Sequence, residues 1–293
     1  MTKSSAASGP RYGELLAHHT TWRVGGPADI FYTPSDTATL AAFLRDYQGD
    51  NVVWLGLGST VLVRDGGIRG AVIALAGGLS GLQLGEGWAY AQAGVPLAKL
   101  ARQCAGRGLG GLEFFAGIPG TVGGALAMNA GASGTDTWSH VAAVETIDRQ
   151  GEIRVRLPAD FRVAYRSVEG PVDEWFVAAT FSLRQGDCEE SKRRIREYLA
   201  IRNRTQPMQT ANAGSVFRNP PGDFAARLIE TAGLKGWREG GAAVSLRHAN
   251  FIVNEGQACA SDIEHLIERV QIAVHERTGV LLEREVRIMG EQA

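Results

Sequence analysis

Two stretches of the chain combine bare backbone with small side chains, an arrangement suited to holding an anionic phosphate. The longer, Gly111–Ala132, reads GLEFFAGIPGTVGGALAMNAGA, with glycines at 111, 117, 120, 123, 124 and 131. Glycine costs backbone entropy and packs nothing, but its uncovered N–H groups let an anion come close. The shorter stretch is Gly56-Leu57-Gly58-Ser59-Thr60. Of the 38 glycines, 21 fall between Gly56 and Gly134, so the excess marks one region and not diffuse low complexity. Gly56-Leu57-Gly58 begins like a dinucleotide fingerprint, yet Val61 occupies the third glycine position and an extended run follows where a helix is required. Gly117–Gly124 lacks the lysine of a P-loop. Two glycine loops beside strands remain consistent with a pyrophosphate cradled from two sides. Tight turns with close backbone packing have the same composition, and spacing alone does not name a ligand.

The elements that must position these loops are legible from periodicity and punctuation. Val52–Leu55 and Val61–Val63 read as strands on either side of the shorter loop, with further strands at Ala71–Leu75 and Trp88–Ala93. Helices are expected at Thr37–Tyr47 and Pro96–Arg107, the latter with proline at its start and Gly108 past its end. After the longer loop, Val141–Asp148, Glu152–Leu157 and Trp175–Leu183 read as strands, so this half favours α+β over a regular βαβ alternation. The character changes at Gly186-Asp187, where a charged helix, Cys188–Asn203, begins. Asp223 is expected to cap a helix through Ala232. Ala242–Leu246 and Asn250–Asn254 are extended. Ser261-Asp262-Ile263-Glu264 reads as a capping box for a helix burying Ile263, Leu266, Ile267, Val270 and Val274 and ending at Gly279. Leu281–Ile288 reads as a closing strand. These readings divide the chain into a disordered lead-in at 1–10, lobes at 11–75 and 76–187, and a C-terminal domain at 188–293.

Composition narrows the function classes. A hydrophobic content of 44% and a net charge of -1 describe a globular protein with no electrostatic case for nucleic acid. Lys192-Arg193-Arg194-Ile195-Arg196 reads as a solvated helix face. Cys104, Cys188 and Cys259 form no metal-ligand spacing, which fits a reducing compartment and no metal. With no signal peptide or membrane-length apolar run in the sequence, a cytoplasmic protein is expected.

Seven segments together are more specific. HTTWRVGGPAD, GLGSTVLV, GLEFFAGIPGTVGGALAMNAGA, AYRS, GSVFRNP, RHANFIVN and LEREVRIMG occur in that order, from about Thr20 to Gly290. This set resembles the UDP-N-acetylenolpyruvoylglucosamine reductase family, in its shorter second form. GIPGTVGG is shared in flavour with other flavin domains of the vanillyl-alcohol-oxidase type, whereas GSVFRNP and LEREVR are more restrictive. Departures are His19 in place of the usual asparagine, Thr60 where the flavin loop often ends in asparagine, and Arg218 in place of lysine.

The resemblance implies an α+β fold with a two-lobed FAD-binding domain and a C-terminal substrate-binding domain. It implies non-covalent FAD held by Gly56, Leu57, Gly58, Ser59, Thr60, Gly117, Ile118, Pro119, Gly120, Thr121, Gly123, Gly124, Ala125, Ala130 and Gly131, with NADPH as reductant. The implied reaction reduces an enolpyruvyl ether of a UDP-sugar in peptidoglycan precursor synthesis, with no obligate protein partner. Hydride goes from flavin N5 to the β-carbon and charge builds on the adjacent carboxylate, so an acid and carboxylate-binding groups are needed. Ser215 resembles the proton donor, Arg166 the carboxylate-binding arginine and Glu285 the third member of the site. In an extended Leu281–Ile288, Glu283 and Glu285 share a face, so Glu283 is a rival that only the family pattern demotes. To assist an enolate oxygen, Glu285 must be protonated, through burial and the neighbouring substrate carboxylate. Tyr165, Arg218, Asn219, His248 and Arg287 resemble substrate contacts; His248 equally fits a satisfied buried imidazole. Another FAD-dependent oxidase or dehydrogenase, or a non-catalytic nucleotide-binding module, is the alternative.

Overall fold

The computed structural model describes residues 9–293, so most of the expected lead-in at 1–10 lies outside the described residues. The fold is α+β, and its residues form two compact units that interleave along the chain. Of the described residues, the first comprises 9–11, Phe31–Leu57 and Val72–Ile201; the second comprises Tyr12–Ile30, Gly58–Ala71 and Arg202–Ala293. This grouping by compactness differs from a linear series of lobes. The boundary expected at Gly186-Asp187 falls inside the first unit, and the shorter glycine loop is divided after Leu57.

The first unit is organised by a five-stranded antiparallel sheet, in the order Ile153–Arg156, Val141–Asp148, Glu174–Ser182, Trp88–Gln92 and Leu82–Gly85. Alternation sets its inner face: Ala89 and Ala91, with Ala179 and Phe181, are fully buried. Helix Leu97–Gly106 packs Leu97, Leu100, Ala101 and Cys104 into the same core as Phe114 and Phe115. A second core joins Leu40 and Leu44 of helix Thr37–Asp46 to Ile73 and Ile147. Pattern reading misses several elements, among them the edge strand Leu82–Gly85 and, in the longer glycine stretch, the 3-10 helix Glu113–Gly117 and the α-helix Val122–Met128. Gly123 and Gly124 each cost about 1 kcal/mol of helix propensity. Tertiary bonds from Val122 N to Val95 O and Gly123 N to Ala93 O accompany the helix there.

In the second unit the face Ile263, Leu266, Ile267, Val270 and Val274 of helix Ala260–Thr278 is buried as expected, against Trp22, Leu62, Phe217 and Leu282. Its N-terminus is two residues earlier than the expected box. Cys259 is the N-cap, and the carboxylate of Asp262 accepts from Cys259 N at 3.1 Å. Glu264, expected to complete the box, is instead buried against Arg64, whose Nε and Nη2 meet its two oxygens at 2.9 and 2.6 Å. The guanidinium, with some opposition from burial, holds the Glu264 carboxyl below its ordinary range. Asp223 likewise is not the cap of its helix. Phe224 takes that position ahead of Ala225–Thr231, and Asp223 pairs with Arg227 one turn on. Among the described residues no helix is long and apolar enough to cross a membrane.

Candidate functional site

In the first unit the two glycine stretches meet at Thr121. A Cβ placed on Gly56 would lie 2.6 Å from Thr121 Oγ1, and one on Gly124 would lie 3.7 Å from the same atom. Thr121 is 1% exposed, yet among the described residues its hydroxyl has no hydrogen-bond partner. A buried, unpaired hydroxyl costs roughly 1–3 kcal/mol, so its persistence between two bare loops points to an external polar group. The glycines separate into two kinds. Gly123 is demanded by packing, since a Cβ would come within 2.9 Å of Ala93 Cβ. Gly124 is exposed in the first turn of helix Val122–Met128, and a Cβ there would touch only Thr121, at ordinary distance. Nothing among the described residues requires that glycine.

A measurement separates these roles. Alanine at an unconstrained helical glycine stabilises by about 0.5–1 kcal/mol. Gly124→Ala is therefore expected to raise the melting temperature of flavin-free protein while weakening flavin binding, read by titration of flavin absorbance. Unchanged flavin affinity would show that Gly124 faces no ligand.

The same stretch holds the arginine singled out in the sequence. Strands Arg162–Ala164 and Ser167–Glu169 form a hairpin whose tip is Tyr165-Arg166. Arg166 has φ +55°, a left-handed conformation usually left to glycine or asparagine. Its Nη2 donates to Gly131 O at 2.9 Å and its Nη1 to Asn129 O at 3.3 Å. The guanidinium also lies 5.0 Å from the ring centre of Tyr165, which is half exposed. The glycine loop thus fixes the arginine through its own carbonyls.

In the second unit two distant motifs converge on one short strip, Ser215-Val216-Phe217-Arg218. Asn250 clamps it from one side: its Oδ1 accepts from Phe217 N at 3.0 Å and its Nδ2 donates to Phe217 O at 2.8 Å. From the other side, Glu285 N donates to Val216 O at 2.8 Å, and Arg218 N donates to Glu283 O at 2.8 Å. Ser215 follows Gly214, at φ +71°, and is half-buried. Among the described residues its hydroxyl makes no hydrogen bond, so it caps no helix or turn. Glu285 is half-buried beside it along the backbone, whereas the Glu283 side chain is 77% exposed and lies 3.7 Å from Arg218. The expected closing strand is confined to Arg287–Met289, paired parallel to Val61–Val63. Upstream, only Arg284 bridges Phe217, and burial falls on Leu282 and Val286 but not on the intervening Arg284. The strict alternation expected for 281–288 therefore fails, because the backbone turns its bonds to the 216–218 strip.

Arg287 N donates to Thr60 O at 3.0 Å, which attaches the C-terminal motif to the end of the shorter glycine loop. His19, unplaceable from sequence, abuts the same loop. A Cβ on Gly58 would lie 2.2 Å from His19 O, and Thr21 N donates to Gly58 O. His248 packs its ring centre 4.6 Å from that of Phe251, burial lowers its pKa, and among the described residues its Nδ1 is buried without a side-chain partner. Asn219 uses its Oδ1 on Ala225 N, at the start of helix Ala225–Thr231. Asn129 and Asn250 were not singled out in the sequence. Their only signal is a polar amide set in an apolar run, and both are 3% exposed. A cavity of ≈ 650 Å³, lined by Gly111, Glu113, His140, Arg184 and Arg194 among others, contains none of the predicted site residues.

Residues 206–289 match the family described as UDP-N-acetylenolpyruvoylglucosamine reductase, C-terminal domain, and residues 28–156 match an FAD binding domain. Two proteins named UDP-N-acetylenolpyruvoylglucosamine reductase are each 56% identical to this chain. The one from Alkalilimnicola ehrlichii aligns over 96% of this chain and 95% of its own length. The one from Methylococcus capsulatus aligns over 95% and 92%. The chain belongs to the UDP-N-acetylenolpyruvoylglucosamine reductase family. A solved structure of that reductase from Thermus caldophilus superposes with a TM-score of 0.85 at 36% identity, covering 96% of this chain and all of that one. As in the family, FAD is the cofactor of an oxidoreductase. The orphaned Thr121 hydroxyl and the unconstrained Gly124 fit that group.

Proposed function

We propose that the chain reduces the enolpyruvyl ether of UDP-N-acetylglucosamine to UDP-N-acetylmuramate, with electrons from NADPH, as a cytoplasmic step of peptidoglycan precursor synthesis. The observation that carries this reading is the Ser215 strip. Two motifs far from it in sequence, those of Asn250 and of Glu283–Val286, lock its backbone on both sides, while among the described residues the hydroxyl itself is left without a structural bond. FAD, held by the glycine loops around Thr121 and Gly124, would supply hydride for the β-carbon. Ser215 then protonates the α-carbon, and Arg166 takes the substrate carboxylate, a planar fork matching two oxygens. Glu285, in its protonated form, assists the enolate oxygen; the exposure of the rival Glu283, beside Arg218, supports choosing Glu285 for that role. His248, whose Nδ1 has no side-chain partner among the described residues, and the cations Arg218 and Arg287 suit the UDP-sugar.

The test uses purified holoprotein. A yellow flavin spectrum is expected, bleached by NADPH and restored without oxygen by the enolpyruvyl sugar nucleotide. Brisk reoxidation by oxygen together with indifference to that substrate would make the protein a different flavin oxidase.

A further inference from the structure

The αL cap of helix Val122–Met128 is Asn129, with φ +45°, and its side chain ties the end of this helix to two other pieces of backbone. Its Oδ1 accepts from Trp138 N at 3.1 Å, and its Nδ2 donates to Ala164 O at 3.2 Å. Ala164 is the last strand residue before the Tyr165-Arg166 tip, paired across the hairpin with Ser167. The main-chain oxygen of Asn129 accepts from Arg166 Nη1. One residue therefore grips both the root of the hairpin and the head of its arginine.

We infer that Asn129 is a positioning residue, which sets the carboxylate-binding guanidinium of Arg166 relative to the end of the glycine loop. The inference rests on the reading of Arg166 given above. An alternative anchor for the hairpin would need another donor for Ala164 O. Arg166 sits in a left-handed conformation that costs an ordinary side chain about 1–3 kcal/mol, so the tip depends on such outside restraints. A reacting group displaced by about 1 Å loses on the order of 10²-fold in rate.

Asn129→Asp keeps the acceptor for Trp138 N and sets a carboxylate against Ala164 O. Asn129→Gly keeps the left-handed backbone and removes the amide without adding charge. Both holoenzymes are expected to be reduced by NADPH at the normal rate. The KM for the enolpyruvyl sugar nucleotide should rise roughly 5–50-fold, the range between one lost hydrogen bond and a displaced group. Combined with Arg166→Lys, either change should add little to the lysine variant alone, because the forked side chain being positioned is gone. Additive losses, or equal losses in both half-reactions, would show that Asn129 supports only the fold. If Arg166→Lys itself leaves the KM unchanged, the carboxylate role of Arg166 falls instead. Should Asn129→Asp not retain flavin, the glycine variant decides by the same readouts; loss of flavin in both would overturn the inference.

Discussion

Ser215→Ala is expected to leave flavin reduction by NADPH near its normal rate and to slow reduction of the enolpyruvyl substrate by ~10²–10⁴-fold, the contribution of a general acid. That corresponds to roughly 3–5 kcal/mol in the barrier. The asymmetry follows from chemistry: the proton is needed only once charge has built on the substrate α-carbon. A hydroxyl is a weak acid at neutral pH, but a carbanionic centre is basic enough to take its proton. The structure makes the substitution a clean one. Ser215 is half-buried and bonds nothing among the described residues, while the backbone around it is fixed by Asn250 and by Glu285 N. Alanine therefore removes the hydroxyl without releasing the strip, and thermal stability should stay within about 0.5 kcal/mol. Stopped-flow absorbance of the two half-reactions is the measurement. Equal slowing of both would end the proton-donor assignment.

For Arg166→Ala the expected loss again lies on the substrate side, roughly 10²–10³-fold in kcat/KM, as for removal of one group that stabilises developing oxyanion charge. Here stability carries independent information. Arg166 is held at φ +55°, so Arg166→Gly relieves backbone strain while deleting the same guanidinium. Glycine and alanine variants should share the kinetic defect and differ in melting temperature, glycine being the more stable of the two by about 1 kcal/mol. A kinetic loss confined to NADPH oxidation would contradict the carboxylate role. Kinetic defects that track the two stabilities would reduce Arg166 to a structural part of the hairpin.

How far the sequence reaches depends on whether a feature is local. Val52–Leu55, Val61–Val63 and Val141–Asp148 match their expected bounds, because apolar runs closed by glycine or polar turns define strands without help from elsewhere. The buried face of helix Ala260–Thr278 is equally local, since 3.6-residue periodicity states it directly. Helix Val122–Met128 was not legible, since two adjacent glycines argue against any helix and its supporting bonds come from Ala93 and Val95. The capping box failed at Glu264, which finds Arg64, 200 residues away in sequence, and forms a part-buried forked pair.

The candidate site divides in the same way. The types of its residues and the order of its motifs are written in the chain, and they suffice to place it in its family and to nominate Ser215, Arg166 and Glu285. A physical distinction between Glu283 and Glu285 required tertiary structure. Alternation alone put both on one face, and only the bonding of 283–286 to Val216 and Arg218 leaves Glu283 in solvent and Glu285 half-buried. Asn129 and Asn250 belong wholly to the tertiary level, because an amide's value lies in which backbone groups surround it. The glycine loops were visible as composition from the start. Which glycines serve packing, as Gly123 does against Ala93, and which leave room for a ligand, as Gly124 does, depends on what a missing Cβ would have touched. Sequence lists the groups able to do chemistry; contacts between residues far apart in the chain decide which of them are already engaged.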